Sequence, residues 1–123
     1  MTDQSARILF VEDDPQVCLI VEDALREAGY AVDSTGTVAG GQSLLDAGTY
    51  DLLLSDGRLP DGNGFSIAIK AAAKGVRVLI YTGYLYEYSE ADRARFTVLA
   101  KPIRISQLLQ LIRNSLLNIP VGP

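Results

Sequence analysis

The sequence has no histidine and a single cysteine, Cys18. One cysteine excludes an internal disulfide, and with histidine missing the usual zinc sites are excluded as well. Cys18 lies in an apolar stretch and reads as a small helix residue, so nothing here needs an oxidising compartment. Residues Met1 to Ser5 carry neither a basic region nor an apolar one, so no signal peptide is visible. No apolar run approaches membrane-spanning length. A cytoplasmic location and no membrane partner are the expectations. Positive charge is also sparse: the formal net charge is −4, and Lys101, Arg104 and Arg113 form no stripe. Direct nucleic-acid contact is not expected, because phosphate backbones are bound by clustered basic residues. Linkers, low-complexity tracts and internal repeats are lacking too.

What remains is a chain of 123 residues, nearly half of them apolar. That is the size of one domain and enough to bury a core unaided. Short apolar runs alternate with amphipathic stretches. Arg7 to Val11 reads as a buried strand. Asp14 followed by Pro15 is an N-cap and a first-turn proline. The helix after them places Val17, Ile20, Val21, Ala24, Leu25 and Ala28 at helical spacing, and Gly29 ends it. Tyr30 to Ser34 is a second strand. Thr37 to Ala47 is a second helix with Leu44 and Leu45 inward. Asp51 to Ser55 is a continuous apolar run, as in a central parallel strand covered on both faces. Residues Leu59 to Gly64 read as a loop. Phe65 to Lys74 is a third helix, ended by Gly75. Val76 to Tyr81 is a fourth strand, Glu87 to Arg95 a short polar helix and Thr97 to Ala100 a fifth strand. Pro102 to Leu117 is the last helix, with Ile105, Leu108, Leu109, Ile112 and Leu116 on one face. Residues 118–123 read as a frayed tail, leaving a core of about 7–117.

The fold class is therefore α/β: a (βα)5 doubly wound, five-stranded parallel sheet with right-handed crossovers. In such sheets the working residues lie beyond the carboxyl ends of the strands. Those ends are chemically loaded here. The first strand runs into Glu12-Asp13-Asp14, the third into Ser55-Asp56, the fourth into Thr82-Gly83 and the fifth into Lys101-Pro102. Singly, each has an ordinary explanation: a helix cap, a turn former, a strand-end hydroxyl, a surface charge before a proline that starts a helix. Together they point to one shared site. Acids gathered there repel one another, so a cation or Lys101 must sit among them. An all-oxygen acidic set suits a hard ion such as Mg2+.

From Arg7 to Leu117 the chain resembles the receiver domain of two-component response regulators, a CheY-like, flavodoxin-like fold with strand order 2-1-3-4-5. The resemblance is carried by Ile8 to Pro15, Asp51 to Asp56, the Leu59-Pro60-Asp61-Gly62-Asn63-Gly64 loop, Thr82 and Lys101-Pro102. It implies that Asp56 takes a phosphoryl group from a histidine kinase or phosphotransfer protein. It implies Mg2+, with Mn2+ or Ca2+ able to substitute, held by Glu12, Asp13, Asp56 and the backbone carbonyl of Arg58, Asp13 being the favoured direct ligand. Lys101 would pair with a phosphoryl oxygen, the Thr82 hydroxyl would follow the phosphate, and the Gly83 amide would donate to it. Phosphorylation would bias a two-state surface that partners read. The chain would be a switch and not an enzyme with an external substrate.

Two departures stand out. Receivers carry a Tyr or Phe three residues before the lysine, where this chain has Val98, and Phe96 lies at the wrong offset to replace it. The segment between Thr82 and Lys101 is also short for the family and holds Tyr84, Tyr86 and Tyr88, with Tyr81 just before it. Those tyrosines could form an interface, including a homodimer through the short fourth helix and fifth strand, or could pack locally. Gly83 stands where Ala is commoner, and Arg58 is placed to influence the phosphate lifetime. The alternative function is a non-phosphorylated docking module of the same fold. A haloacid-dehalogenase-type phosphatase would need a second acid where Arg58 stands. If complete, the chain would be a stand-alone receiver. It fits equally as one domain of a larger protein.

Overall fold

A computed structural model describes residues 6–84 and 88–117 of the chain. Five strands form one parallel sheet: β1 (Arg7–Val11), β2 (Ala31–Thr35), β3 (Leu52–Asp56), β6 (Arg77–Thr82) and β7 (Thr97–Ala100). Their order is β2-β1-β3-β6-β7. A small antiparallel hairpin, β4 (Arg58–Leu59) with β5 (Gly62–Asn63), takes the two intervening numbers. The order is therefore the expected 2-1-3-4-5. The helices are α1 (Pro15–Glu27), α2 (Val38–Ala47), α3 (Gly64–Ala73), α4 (Glu90–Arg95) and α5 (Ile105–Leu116).

Alternation along the strands divides the core into two layers, because successive side chains point to opposite faces. Ile8 and Phe10 pack with Val21, Leu25, Leu108 and Ile112 under α1 and α5. Leu9 and Val11 pack with Leu45, Ile67 and Ala68 under α2 and α3. All five residues of β3 are buried, as its unbroken apolar run required. Fully burying such side chains contributes about 1.5–3 kcal/mol each before the entropy cost of ordering them.

The local punctuation acts as its chemistry dictates. Asp14 caps α1, its carboxylate accepting from the amides of Gln16 and Val17 at 2.9 and 3.4 Å. Gly29 and Gly75 follow α1 and α3 with φ of 100° and 79°, left-handed values that favour glycine. The Cys18 thiol is half-buried on α1, 3.4 Å from Glu22 Oε2, as expected of a helix residue.

Several sequence expectations need correction. Pro102 does not start the last helix. The Lys101–Pro102 peptide is cis, and α5 begins at Ile105 after an Arg104 cap. Ile20, though at helical spacing with the others, is 59% exposed, because the single core layer under α1 and α5 covers only the Val21 and Leu25 side of α1. The loop 59–64 contains the β4–β5 hairpin, and α3 starts at Gly64 with Asn63 as its cap. Thr37 is the cap of α2 and lies outside it. The short helix spans only Glu90–Arg95 and buries nothing. The expected start at Glu87, Tyr86 and the tail 118–123 lie outside the described residues.

One contact ties the loop after β3 to the rest of the fold. Both carboxylate oxygens of Asp61 accept from the first amides of α2, Val38 at 2.7 Å and Ala39 at 3.0 Å. These bonds hold the Asp61 carboxyl below its usual value of 3.8. A depressed pKa means that the stabilisation is complete above the unfolded value and is lost as pH falls through the folded one. Asp61→Asn therefore lowers Tm at pH 7, and the gap between variant and wild type closes as pH falls through the lowered folded-state value of the carboxyl. Thermal melts from neutral pH down through the acid range check this; a constant gap would contradict it.

Candidate functional site

Parallel register brings distant parts of the sequence to one edge. Val11 lies opposite Ser55, Asp56 opposite Tyr81, and Thr82 opposite Ala100. The residues at or just after these positions are Glu12, Asp13, Asp56, Thr82 and Lys101, and the structure gathers them. One carboxylate oxygen from each of Glu12, Asp13 and Asp56 lies within 4.8 Å of the other two. Asp56 is the last residue of β3. Lys101 Nζ donates to Asp56 Oδ2 at 3.0 Å and stands 3.8 Å from Glu12 Oε1.

The electrostatics are unbalanced. Three carboxylates face one ammonium group, and two of them, Glu12 and Asp56, are buried while Asp13 is exposed. At the 4.8 Å limit, each acid pair repels by about 3 kcal/mol at an effective dielectric of about 20. Burial pushes the Glu12 carboxyl up, against hydrogen bonds from the Tyr81 hydroxyl and the Asp14 amide that favour the charged form. An oxygen-only donor set with excess negative charge and one exposed member fits a hard divalent cation that retains water.

The surrounding residues shape this pocket. Asp56 Oδ1 accepts from the Arg58 amide at 3.3 Å. The Arg58 guanidinium lies over the Tyr84 ring, 3.7 Å from its centroid. Thr82 is fully buried, and its hydroxyl oxygen accepts from the Tyr84 amide at 3.0 Å. Its carbonyl accepts from the Lys101 amide, which anchors the end of β7. Gly83 follows, with open space where a Cβ would stand.

Sequence reasoning missed four contributors. A Cβ on Gly57 would meet the Tyr88 hydroxyl at 2.4 Å and Thr82 Oγ1 at 2.8 Å. A Cβ on Gly64 would meet the Asp56 carbonyl at 2.4 Å. No local signal marks Gly57, which makes room for Thr82 and Tyr88; Gly64 stands in the loop that the sequence marked, but its close approach to the end of β3 is set by the tertiary fold. Tyr88 turns inward and packs on Phe65 at a tilt of 44°, with centroids 4.5 Å apart. Phe96 packs on the same ring at 5.6 Å, and Val98 packs into this layer. Tyr81 is buried, and its hydroxyl donates to Glu12 Oε1. Strand alternation could have found Tyr81: it shares a face with Leu79, and both faces of a doubly covered sheet are interior. Of the described tyrosines in this region only Tyr84 is well exposed, at 49%. The aromatic surface suggested by the sequence is thus reduced.

Comparison with known proteins agrees with this arrangement. The family model for the response regulator receiver domain matches residues 8–113. The transcriptional regulatory protein CusR of Escherichia coli K12 is 30% identical over 115 residues, covering 89% of this chain and 51% of CusR. The chain thus spans about half the length of that relative. Among solved structures, a CheY-like receiver domain from Methanospirillum hungatei JF-1 superposes with a TM-score of 0.83 at 26% identity, covering 94% of this chain and 96% of that one. TrrA of Thermotoga maritima, solved with Mg2+ and BeF, gives a TM-score of 0.79 at 22% identity, covering 89% of this chain and 97% of TrrA. No helix among the described residues is long and apolar enough to cross a membrane.

Proposed function

This chain belongs to the response regulator receiver domain family, and we propose that within it Asp56 accepts a phosphoryl group from the phosphohistidine of a kinase or phosphotransfer protein. A carboxylate oxygen of Asp56 attacks phosphorus, the P–O bond forms as the P–N bond breaks, and the imidazole leaves with the bonding pair. The observation that carries this reading is the triangle of Glu12, Asp13 and Asp56 oxygens within 4.8 Å, with Lys101 Nζ 3.0 Å from Asp56. Phosphoryl transfer asks a protein for alignment and charge neutralisation, and these residues supply both. Lys101 moves from the carboxylate to a phosphoryl oxygen as charge shifts outward. The Thr82 hydroxyl, whose oxygen accepts from the Tyr84 amide, turns its own O–H to donate to the new oxygens, and the Gly83 amide adds a donor. Asp13, Asp56, the Arg58 carbonyl and Glu12 would hold Mg2+, which when bound would offset the charge of the equatorial oxygens. The acyl phosphate is later hydrolysed, so the domain works as a cytoplasmic switch and turns over no external substrate.

The test is incubation with acetyl phosphate and Mg2+ followed by intact mass spectrometry. One added phosphoryl group is expected, and none when the metal is chelated. Absence of the gain at saturating donor would overturn the reading.

The donor's approach is marked by an apolar groove between α1 and the segment leading into α5. It is lined by Val17, Ile20, Val21, Ile103, Ile105 and Leu108, and it ends at Lys101 and Tyr81. Ile20 is 59% exposed on its wall, and its chain neighbour Leu19 is 63% exposed. A helical donor could lay its apolar face there while presenting phosphohistidine to Asp56. Ile20→Glu is expected to slow transfer from a phosphorylated donor protein by at least about tenfold, the effect of losing one anchoring contact. Transfer from acetyl phosphate should be unchanged. Equal slowing with both donors would show that the variant damages the pocket and not the docking.

A further inference from the structure

The buried phenol of Tyr81 belongs to neither the core alone nor the set of groups that touch phosphate. It sits on β6, and β3 separates that strand from β1, so β1 and β6 are about 10 Å apart. Tyr81 crosses that gap on the α1–α5 side. Its ring stacks with Phe10 of β1, with centroids 6.3 Å apart. Its hydroxyl donates to Glu12 Oε1, and its ring centroid lies 4.7 Å from Lys101 Nζ. Glu12 Oε2 meanwhile accepts from the Asp14 amide at 3.0 Å. Both oxygens of Glu12 are thus held, one by each neighbour.

We infer that Tyr81 is a positioning residue of the phosphoacceptor site: its hydroxyl pins Glu12 toward the cation position and keeps it from closing on Lys101. The inference rests on the cation-assisted reading of the pocket given above. Glu12 Oε1 is 3.8 Å from Lys101 Nζ, while Asp56 Oδ2 is 3.0 Å away. The ammonium therefore bonds to Asp56 and stands off from Glu12. Without the hydroxyl, Glu12 Oε1 has lost a donor in a buried site, and the nearest replacement is Lys101. A Glu12–Lys101 pair would turn one carboxylate from the cation and draw the lysine from Asp56. Shorter side chains cannot span β3, and phenylalanine keeps the ring under Lys101 while removing only the donor.

The experiment compares the full chain with Tyr81→Phe and with Tyr50→Phe as control. Tyr50 also donates a phenol to a carboxylate, Asp33 Oδ2 at 2.7 Å, but outside the pocket. Calorimetric titration with Mg2+ alone should show Tyr81→Phe binding about tenfold more weakly, the usual cost of losing a group that orients a ligand. Tyr50→Phe should bind as wild type does. With acetyl phosphate, Tyr81→Phe should need about tenfold more Mg2+ for half-maximal rate yet reach the wild-type limit at saturation. Equal Mg2+ affinity in Tyr81→Phe and wild type would overturn the inference, as would an equal loss of rate at every Mg2+ concentration. Should Tyr81→Phe fold poorly, the wild-type chain still decides. The Tyr81 ring resonances should shift on Mg2+ addition with the same half-saturation as the calorimetry, and unmoved resonances would reject the role. If wild type itself bound no Mg2+, this inference and the cation-assisted reading would both fall. If wild type bound and Tyr81→Phe bound alike, only this inference would.

Discussion

Asp56→Asn takes up no phosphoryl group from acetyl phosphate under conditions where wild type gains one; this is the largest functional effect expected of any single substitution. The amide cannot supply the attacking oxygen pair, and no neighbour replaces it. Glu12 has both oxygens engaged, by Tyr81 and by the Asp14 amide. Asp13 is exposed, and neither it nor Glu12 lies as close to Lys101 as Asp56, at 3.0 Å. The fold should survive, because Asn keeps the volume and can still accept from the Arg58 amide through Oδ1. Removing one of three clustered negative charges also relieves repulsion. The measurement is intact mass with peptide mapping, alongside a melt of the unphosphorylated variant. Phosphate found on another carboxylate at a comparable rate would mean that the acceptor has been misassigned.

Gly64→Ala should cause the largest loss of stability. Its added Cβ would lie 2.4 Å from the Asp56 carbonyl oxygen and 2.8 Å from Ser55 Oγ. Neither atom can retreat easily. Asp56 ends the central strand, paired with Tyr81, and Ser55 Oγ donates to the same carbonyl at 2.8 Å. The Gly64 amide also donates to the Gly57 carbonyl at 2.9 Å, which closes the turn around Asp56. Overpacking a rigid site costs about 2–3 kcal/mol, a fall of about 8–15 °C in Tm for a domain of this size. Gly83→Ala is the contrast: nothing lies within 4 Å of its Cβ position, so its Tm should match wild type. Thermal melts of both variants decide the matter, and a neutral Gly64→Ala would show that the loop yields where the packing says it cannot. Since the clash is with Asp56 itself, phosphorylation should slow even below the melting transition.

Much of this was legible residue by residue, and the failures share one cause. The acids, the lysine and the threonine could be read at strand ends because (βα)5 topology fixes which edge carries the chemistry. Caps such as Asp14 and stops such as Gly29 were legible because their physics is confined to a few neighbouring residues. Ile20 misled because helical spacing shows which residues share a face but not how far the covering layer extends. Pro102 misled because a proline that can start a helix is equally at home in the bend before one. The tyrosines misled for a different reason. Their side chains are apolar along most of their length and polar at the tip, so composition alone allows burial or exposure. Tyr81 and Tyr88 went inward and Tyr84 stayed out.

By itself, the sequence determined the alternation of strands and helices, the parallel sheet and the identities of the reactive groups. Each of these follows from short-range periodicity, capping and connection handedness. Only the tertiary structure decided the distances: Lys101 on Asp56 from 45 positions away, and Tyr81 on Glu12 from 69. Local pattern does not encode the register between strands or the reach of a side chain across them. Those are set when all the layers pack at once, and they bring three acids and a lysine into one pocket.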